Sequence, residues 1–286
     1  MKWGTIQNDP ELYQIGMDTV NYEISLIESL FNGEWHNLSD AAIGGPCLIE
    51  AYKYEGDELY RDLCLTGLLA GSLVAIVYPE FFEQIVLDPV AGCGGVAFAD
   101  FWFQKACPDT QGNALAEMGL SIIETVTQNY FDPQEGYYTP LWDWNEATML
   151  MALGEGYAFS QDPALLSLAE ELIQATDDLL YDESLGGYYS SEGSDKMSLS
   201  GNCLFALGMM SMYRGTGDDV YLDRTERILA FIRDFLCGED ICYHHLEDGV
   251  PVEYFCTGCN LFFLRNIYQF NKLLGNEYPG KLVLTR

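Results

Sequence analysis

Apolar positions along this chain fall into two kinds of run. In Pro10 to Phe31 the residues Leu12, Ile15, Val20, Ile24, Ile27 and Leu30 recur at helical spacing with acids on the other face, which predicts an amphipathic helix. Runs 58–78, 108–129, 163–180 and 219–236 continue that series. Between them lie runs that are apolar almost all round, about 39–54, 93–105, 143–159, 198–214 and 258–274, and these predict helices with no solvent face. Ser39 or Asp40 is the expected cap of the first of them. Both kinds are satisfied when the buried helices form an inner ring and the amphipathic ones an outer ring. The expected fold is therefore all-α, an α/α toroid of about five to six helix pairs in one domain, 1–286, around a central apolar cavity. An open solenoid satisfies the same local pattern, and the aromatic load of the buried set favours the closed ring.

Two motifs repeat with the helices. Tyr52-Lys-Tyr-Glu-Gly-Asp57, Tyr157-Ala-Phe-Ser-Gln-Asp162 and Tyr213-Arg-Gly-Thr-Gly-Asp218 each end a buried helix on tyrosine and place an acid five positions later, at the start of an amphipathic helix. The loop Phe131-Asp-Pro-Gln-Glu-Gly-Tyr-Tyr is echoed about 50 residues on by Tyr181-Asp-Glu-Ser-Leu-Gly-Gly-Tyr-Tyr. The short joints fall at one end of the helices and the long loops at the other. One joint is anomalous: Gln104-Lys-Ala-Cys107-Pro108-Asp109-Thr110 keeps the acid but has glutamine in the tyrosine position. Asp109 falls at the same end as Tyr157, in the neighbouring unit of the repeat.

Composition narrows the function. A formal charge of −31 leaves no basic stripe for nucleic acid and disfavours electrostatic adhesion to anionic lipid. Nine cysteines, with Cys64, Cys93 and Cys203 inside apolar runs, suggest reduced buried thiols and not a disulfide framework. The first ten residues have no apolar signal core, and no uninterrupted apolar window of membrane-spanning length is evident. The expectation is a cytoplasmic protein, with contact to a membrane through apolar surface left open.

Asp109 is by position a helix N-cap, an ordinary role for an acid. A cap that faces an apolar cavity also suits a proton donor, because burial favours the neutral acid while helix N–H groups accept the anion left behind. Cys107 and Tyr157 are the expected hydrogen-bond partners. Cys107-Pro108-Asp109-Thr110 resembles the Asp-x-Asp-Asp-Thr motif of the class II, protonation-initiated terpene cyclases, with Cys107 in place of the first acid, Asp109 in the donor slot and Thr110 in place of the last acid. The chain is similar in size to the single-domain cyanobacterial cyclases of merosterol type, and more distantly resembles squalene-hopene cyclase. That resemblance implies a meroterpenoid cyclase that protonates the terminal alkene or epoxide of a prenylated aromatic acid, with no cofactor, no metal and a transient contact with a membrane or prenyltransferase. Carbocation chemistry needs a dry pocket lined by π faces, for which the buried helices offer Phe98, Phe101, Trp102, Trp142, Trp144, Tyr157, Phe205, Phe262 and Phe263. For any one of these, core packing is the simpler role.

Other sites compete. Cys237, Cys242, Cys256 and Cys259 have the spacing of a four-thiolate zinc site. His244 and His245, in a long loop at the other end, would serve as bases in a sugar epimerase of toroid fold. Asp143 with Glu146, or Glu253, would serve as the acids of an α/α glycosidase. Asp177-Asp178 follows an amphipathic stretch and reads as a solvated face. A non-catalytic helical-repeat scaffold is the third class.

Overall fold

The computed structural model describes residues 10–33, 45–77, 88–110, 113–238 and 241–275. The expected cap at Ser39 or Asp40 lies outside them. The chain divides into two compact units, Met1–Val126 and Thr127–Arg286.

The first unit holds α1 (Pro10–Phe31), α2 (Pro46–Glu55), α3 (Glu58–Val77), α4 (Pro89–Ala106) and most of α5 (Ala114–Tyr130). Helix α4 is buried nearly all round, as the apolar run predicts, but starts earlier than the sequence suggests. Asp88 caps it by accepting from the Ala91 N–H, and Pro89 takes the first turn, where a missing N–H costs nothing. Inside this unit Asp100 is fully buried and its Oδ2 accepts from the Ser72 hydroxyl at 2.8 Å. Burial pushes its carboxyl well above the usual range, so it sits in the core as the neutral acid.

Helix α3 is more apolar than the eye suggests, though a core helix can meet the same measure. Its Glu58–Ile76 span has a mean hydropathy of 1.4 and is long and apolar enough, by length and composition, to cross a membrane. Thr66, Gly67, Gly71 and Ser72 break the apolar run to the eye but add little polarity.

The second unit is built from a repeated hairpin and helix pair. Strands β1 (Phe131–Asp132) and β2 (Tyr137–Tyr138) precede α6 (Asp143–Ser160) and α7 (Pro163–Leu180). Strands β3 (Tyr181–Asp182) and β4 (Gly187–Tyr188), then β5 (Lys196–Ser198), precede α8 (Leu199–Thr216) and α9 (Asp219–Phe231), which runs on as a π-helical turn, Ile232–Leu236. Strands β6 (His245–Glu247) and β7 (Val250–Pro251) lead to α10 (Thr257–Leu273). Helices α6 and α8 are the buried pair, and α8 also packs on α9 and α10. At Gly154 a Cβ would meet the Met212 backbone nitrogen at 2.8 Å, so the α6–α8 backbone approach requires glycine there. Across the same interface Arg214 Nε donates to Glu155 Oε1 at 2.7 Å.

The repeated tyrosine joint has one physical form. The carbonyls of Tyr52, Tyr157 and Tyr213 each accept, at 2.8 Å, from the N–H four residues on, at Gly56, Gln161 and Gly217, all left-handed. Asp57, Asp162 and Asp218 then accept from Leu59, Ala164 and Val220 N–H. The Tyr-Tyr loops match equally well. Phe131 pairs with Tyr138 and Tyr181 with Tyr188, and in each hairpin the glycine N–H returns to the leading aspartate carbonyl.

Candidate active site at the amino-terminal ends of the buried helices

Helices α6, α8 and α10 start side by side. Asp143, the first residue of α6, is joined to Ser198, the cap of α8, by a hydroxyl-to-Oδ2 hydrogen bond of 2.7 Å. The Leu199 N–H at the start of α8 donates to the His244 carbonyl. Cys259 in the first turn of α10 lies against the Ser200 hydroxyl.

The fourth residue of each helix holds the hairpin before it. Glu146 Oε2 accepts from the Tyr138 N–H at 3.2 Å. Asn202 accepts from the Tyr188 N–H at 2.7 Å and donates to its carbonyl at 3.0 Å. Asn260 does the same to Cys242, at 2.8 and 2.9 Å. These clamps fix the loops over the helix ends, so the side chains there are held by backbone geometry.

Asp143 is buried, with its Oδ1 accepting from the Trp144 N–H at 2.9 Å. Burial pushes its carboxyl up to about 6, against the Ser198 hydroxyl, the Trp144 N–H and the Lys196 charge, which all favour the anion. Ser198 pairs with His245 across β5 and β6, Lys196 with Glu247, and Met197 with Leu246. Met197 and Leu246 are buried. Strand alternation therefore puts Lys196, Ser198, His245 and Glu247 on the opposite face from that apolar pair, the face that carries the bond to Asp143.

His244 Nδ1 lies 3.0 Å from His245 Nδ1, with the rings nearly perpendicular. Burial, the His245 imidazole and Lys196 hold His244 below the ordinary histidine range. Burial and Lys196 do the same to His245, opposed by Glu247. Both rings therefore favour the neutral form at neutral pH, in which one Nδ1–H can donate to the other Nδ1. Tyr254 meets His244 edge to face, and in the same stretch of chain Tyr243 stacks on Phe255. Trp142 is 48% exposed, Tyr254 58% and Phe255 47%.

The residues singled out for alkene protonation have a different setting. Helix α5 begins at Ala114, so Asp109 does not cap it; Asp109 stands exposed in the turn before, outside any apolar surrounding. The odd joint is closed by the Cys107 N–H on the Phe103 carbonyl, one residue earlier than the tyrosine phrase suggests. Cys107 is buried, and burial raises its thiol. Phe98 and Phe101 are buried in the first unit, Trp102 is half-buried beside Phe98, and Phe205 is buried in the second unit, stacked on Tyr188 at 3.8 Å. Tyr157, Trp144 and Phe262 are half-buried. Glu253 is exposed. Asp177 is no free surface acid, since Arg224 grips both its oxygens and the Tyr188 hydroxyl donates to it.

The cysteines also differ from expectation. Cys64, Cys93, Cys107 and Cys203 are free and buried, but Cys237 and Cys242 are joined as a disulfide, which removes two of the four thiolates of the zinc alternative. Among the described residues no group of three or more His, Cys, Asp or Glu side chains is placed to hold a metal ion.

No family model matches the chain, and no curated protein does. Solved structures do match. The unsaturated glucuronyl hydrolase of Bacillus sp. GL1 aligns with a TM-score of 0.66 and 12% identity over 96% of this chain and 81% of that one. The GH76 α-mannanase BT2949 of Bacteroides thetaiotaomicron aligns with a TM-score of 0.62 and 14% identity, covering 85% of this chain and 71% of that one. A sugar epimerase from a ruminal bacterium aligns with a TM-score of 0.53 and 10% identity over 66% of this chain. The chain spans little more than half the length of that epimerase, 55%, and 54% of a cellobiose 2-epimerase from Spirochaeta thermophila.

The fold is thus all-α, of the α/α-toroid class. The same matches overturn the terpene-cyclase expectation and its prenylated substrate, because the neighbours are epimerases, mannanases and a glucuronyl hydrolase. Alternation of buried and amphipathic helices is common to both groups of enzymes, so it could not tell them apart; the four-residue motif carried that distinction, and its acid faces solvent.

Proposed function

We propose that this chain is a carbohydrate-active enzyme whose proton-transfer groups are His244, His245 and Asp143. The observation that carries this reading is the placement of a neutral imidazole pair on the same strand ribbon as Ser198, which is bonded to a buried aspartic acid with its pKa near 6. A neutral imidazole can take a proton from the carbon next to a sugar carbonyl, and a carboxyl poised near neutrality can give one back. The exposed rings of Trp142, Tyr254 and Phe255 offer apolar faces of the kind on which pyranose C–H groups settle.

The grouping favours epimerisation or isomerisation at a reducing end over glycoside cleavage. Cleavage needs two carboxyl groups across the bond. Of the acids considered with Asp143, Glu146 is engaged by the Tyr138 N–H and Glu253 lies out in solvent. The chain carries 44 acidic against 13 basic residues, which disfavours uronates and sugar phosphates and points to neutral or amino sugars.

The test is incubation with free hexoses, N-acetylhexosamines and reducing disaccharides in D2O, followed by NMR. Deuterium entering at C2, lost in His245→Asn, supports the proposal. Hydrolysis of a glycoside with no deuterium uptake, or uptake unchanged in His245→Asn, refutes it.

A further inference from the structure

The third copy of the repeated hairpin differs from the first two in its chemistry. In the first two the cross-strand pair is aromatic, Phe131 with Tyr138 at 5.2 Å between ring centroids and Tyr181 with Tyr188 at 4.9 Å. In the third the bridging residues are Cys237 and Cys242, and they are joined as a disulfide. The backbone of a second cysteine pair lies close to it. The Asn260 Nδ2 that donates to the Cys242 carbonyl at 2.9 Å also donates to the Cys256 carbonyl at 3.0 Å. One nitrogen shared by both carbonyls holds these oxygens within ~6 Å of each other.

Cys256 caps α10, its sulfur accepting from the Cys259 N–H at 3.3 Å. The corresponding cap of α8 is Ser198, which accepts from the Gly201 N–H at 2.9 Å, so the capping role by itself does not call for sulfur. Cys256 and Cys259 are half-buried, and their thiols touch. Burial and the adjacent Cys256 push Cys259 up to about 12.

We propose that Cys256-Thr257-Gly258-Cys259 is a redox-active dithiol that exchanges with the Cys237–Cys242 disulfide. The Cys256 thiolate, facing the N–H donor at the start of α10, attacks the Cys242 sulfur. The Cys237–Cys242 bond breaks, and Cys237 leaves as a thiolate that takes up the proton Cys256 gave to solvent. Cys259 then loses its proton and attacks the Cys256 sulfur, and Cys242 leaves and is protonated. One S–S bond has broken and one has formed, with no external oxidant or reductant consumed. Cys259 acts second because burial keeps it as the thiol.

This proposal does not rest on the sugar reading, since its readout is which sulfurs are joined. The whole chain, purified without reductant, is held at pH 8, quenched in acid, blocked with N-ethylmaleimide and mapped by non-reducing peptide mass spectrometry. The wild type is expected to give both Cys237–Cys242 and Cys256–Cys259 peptides. Cys259→Ser should trap a Cys242–Cys256 crosslink, and Cys256→Ser should give Cys237–Cys242 alone. Serine already caps α8, so Cys256→Ser should fold, and circular dichroism of both variants checks this. Finding Cys237–Cys242 alone in all three proteins, or four free thiols in the wild type, overturns the proposal.

Discussion

The Ser198 hydroxyl donates to Asp143 Oδ2 at 2.7 Å, tying the first residue of α6 to the cap of α8. The same oxygen atom of Ser198 accepts from the Gly201 N–H at 2.9 Å, so one hydroxyl both starts a helix and holds an acid. A Cβ on residue 201 would run into Asp143 Oδ2. Gly201→Ala should therefore displace the carboxylate and lower stability by about 1–3 kcal/mol, the usual range for overpacking. Urea denaturation measures the loss, and a structure of the variant should show Asp143 turned away from Ser198.

Asp143 should make the protein less stable at neutral pH than an uncharged residue would. Its folded carboxyl titrates near 6 against 3.8 for the free side chain, so the folded state holds its proton more tightly. The stability this group contributes is fully present below pH 3.8 and is lost as pH rises through about 6. Asp143→Asn removes that loss, and its gain over the wild type should grow between pH 4 and 7 to at most about 3 kcal/mol, at 1.36 kcal/mol per unit. Paired urea melts at pH 4 and pH 7.5 check this. An activity loss of about 10²-fold or more in the same variant would give the pattern of a residue kept for chemistry at a cost in stability.

Lys196 influences all three titrating groups of the site in one direction. Its charge lowers Asp143, His244 and His245 alike. Lys196→Ala should move all three upward, because removing a positive charge makes each proton easier to hold. NMR titration of the imidazole C–H signals, assigned through His244→Asn, reads the effect without any substrate. No upward movement of either imidazole would separate Lys196 from the site.

Much of the fold was legible in the sequence because its signals are local. The tyrosine carbonyl, the left-handed residue four places on and the capping acid after it all lie within eight residues, and so do the strand pairs that close each Gly-Tyr-Tyr hairpin. The site was less legible. The anomaly at Asp109 is a real break in the repeat, but its consequence is a turn closed at Phe103 and not a catalytic pocket. The link from Asp143 through Ser198 to His245 spans 55 residues to the serine and then a strand pairing, and neither leaves a trace in local pattern. One signal was available: Glu146, Asn202 and Asn260 occupy the fourth position of α6, α8 and α10, and aligning the repeats on them brings Asp143, Ser198 and the cysteines to one end.

Asp109→Asn should leave both stability and any activity of the protein unchanged within about 0.5 kcal/mol, the usual range for an exposed position without a special role. Urea denaturation and the sugar assays together read it. A loss at this position would show that the turn after α4 does more than connect.

The helix-start clamps should differ in strength by their chemistry. Asn202 both accepts from the Tyr188 N–H and donates to the Tyr188 carbonyl, and it donates to the Ser198 carbonyl at 2.8 Å as well. Asn202→Ala would strand these buried backbone groups, at about 1–3 kcal/mol for each one left unpaired. Asn202→Asp keeps the acceptor, loses both donations and sets a carboxylate against two carbonyl oxygens, so it should be no better than alanine. Glu146 sits at the equivalent place in α6 with a carboxylate. Glu146→Gln keeps the bond from the Tyr138 N–H and adds a donor of the kind Asn202 uses, so it should be neutral or stabilising. Parallel denaturation of the three variants decides the point: if Glu146→Gln costs as much as Asn202→Ala, the Glu146 carboxylate has a role that the clamp does not explain.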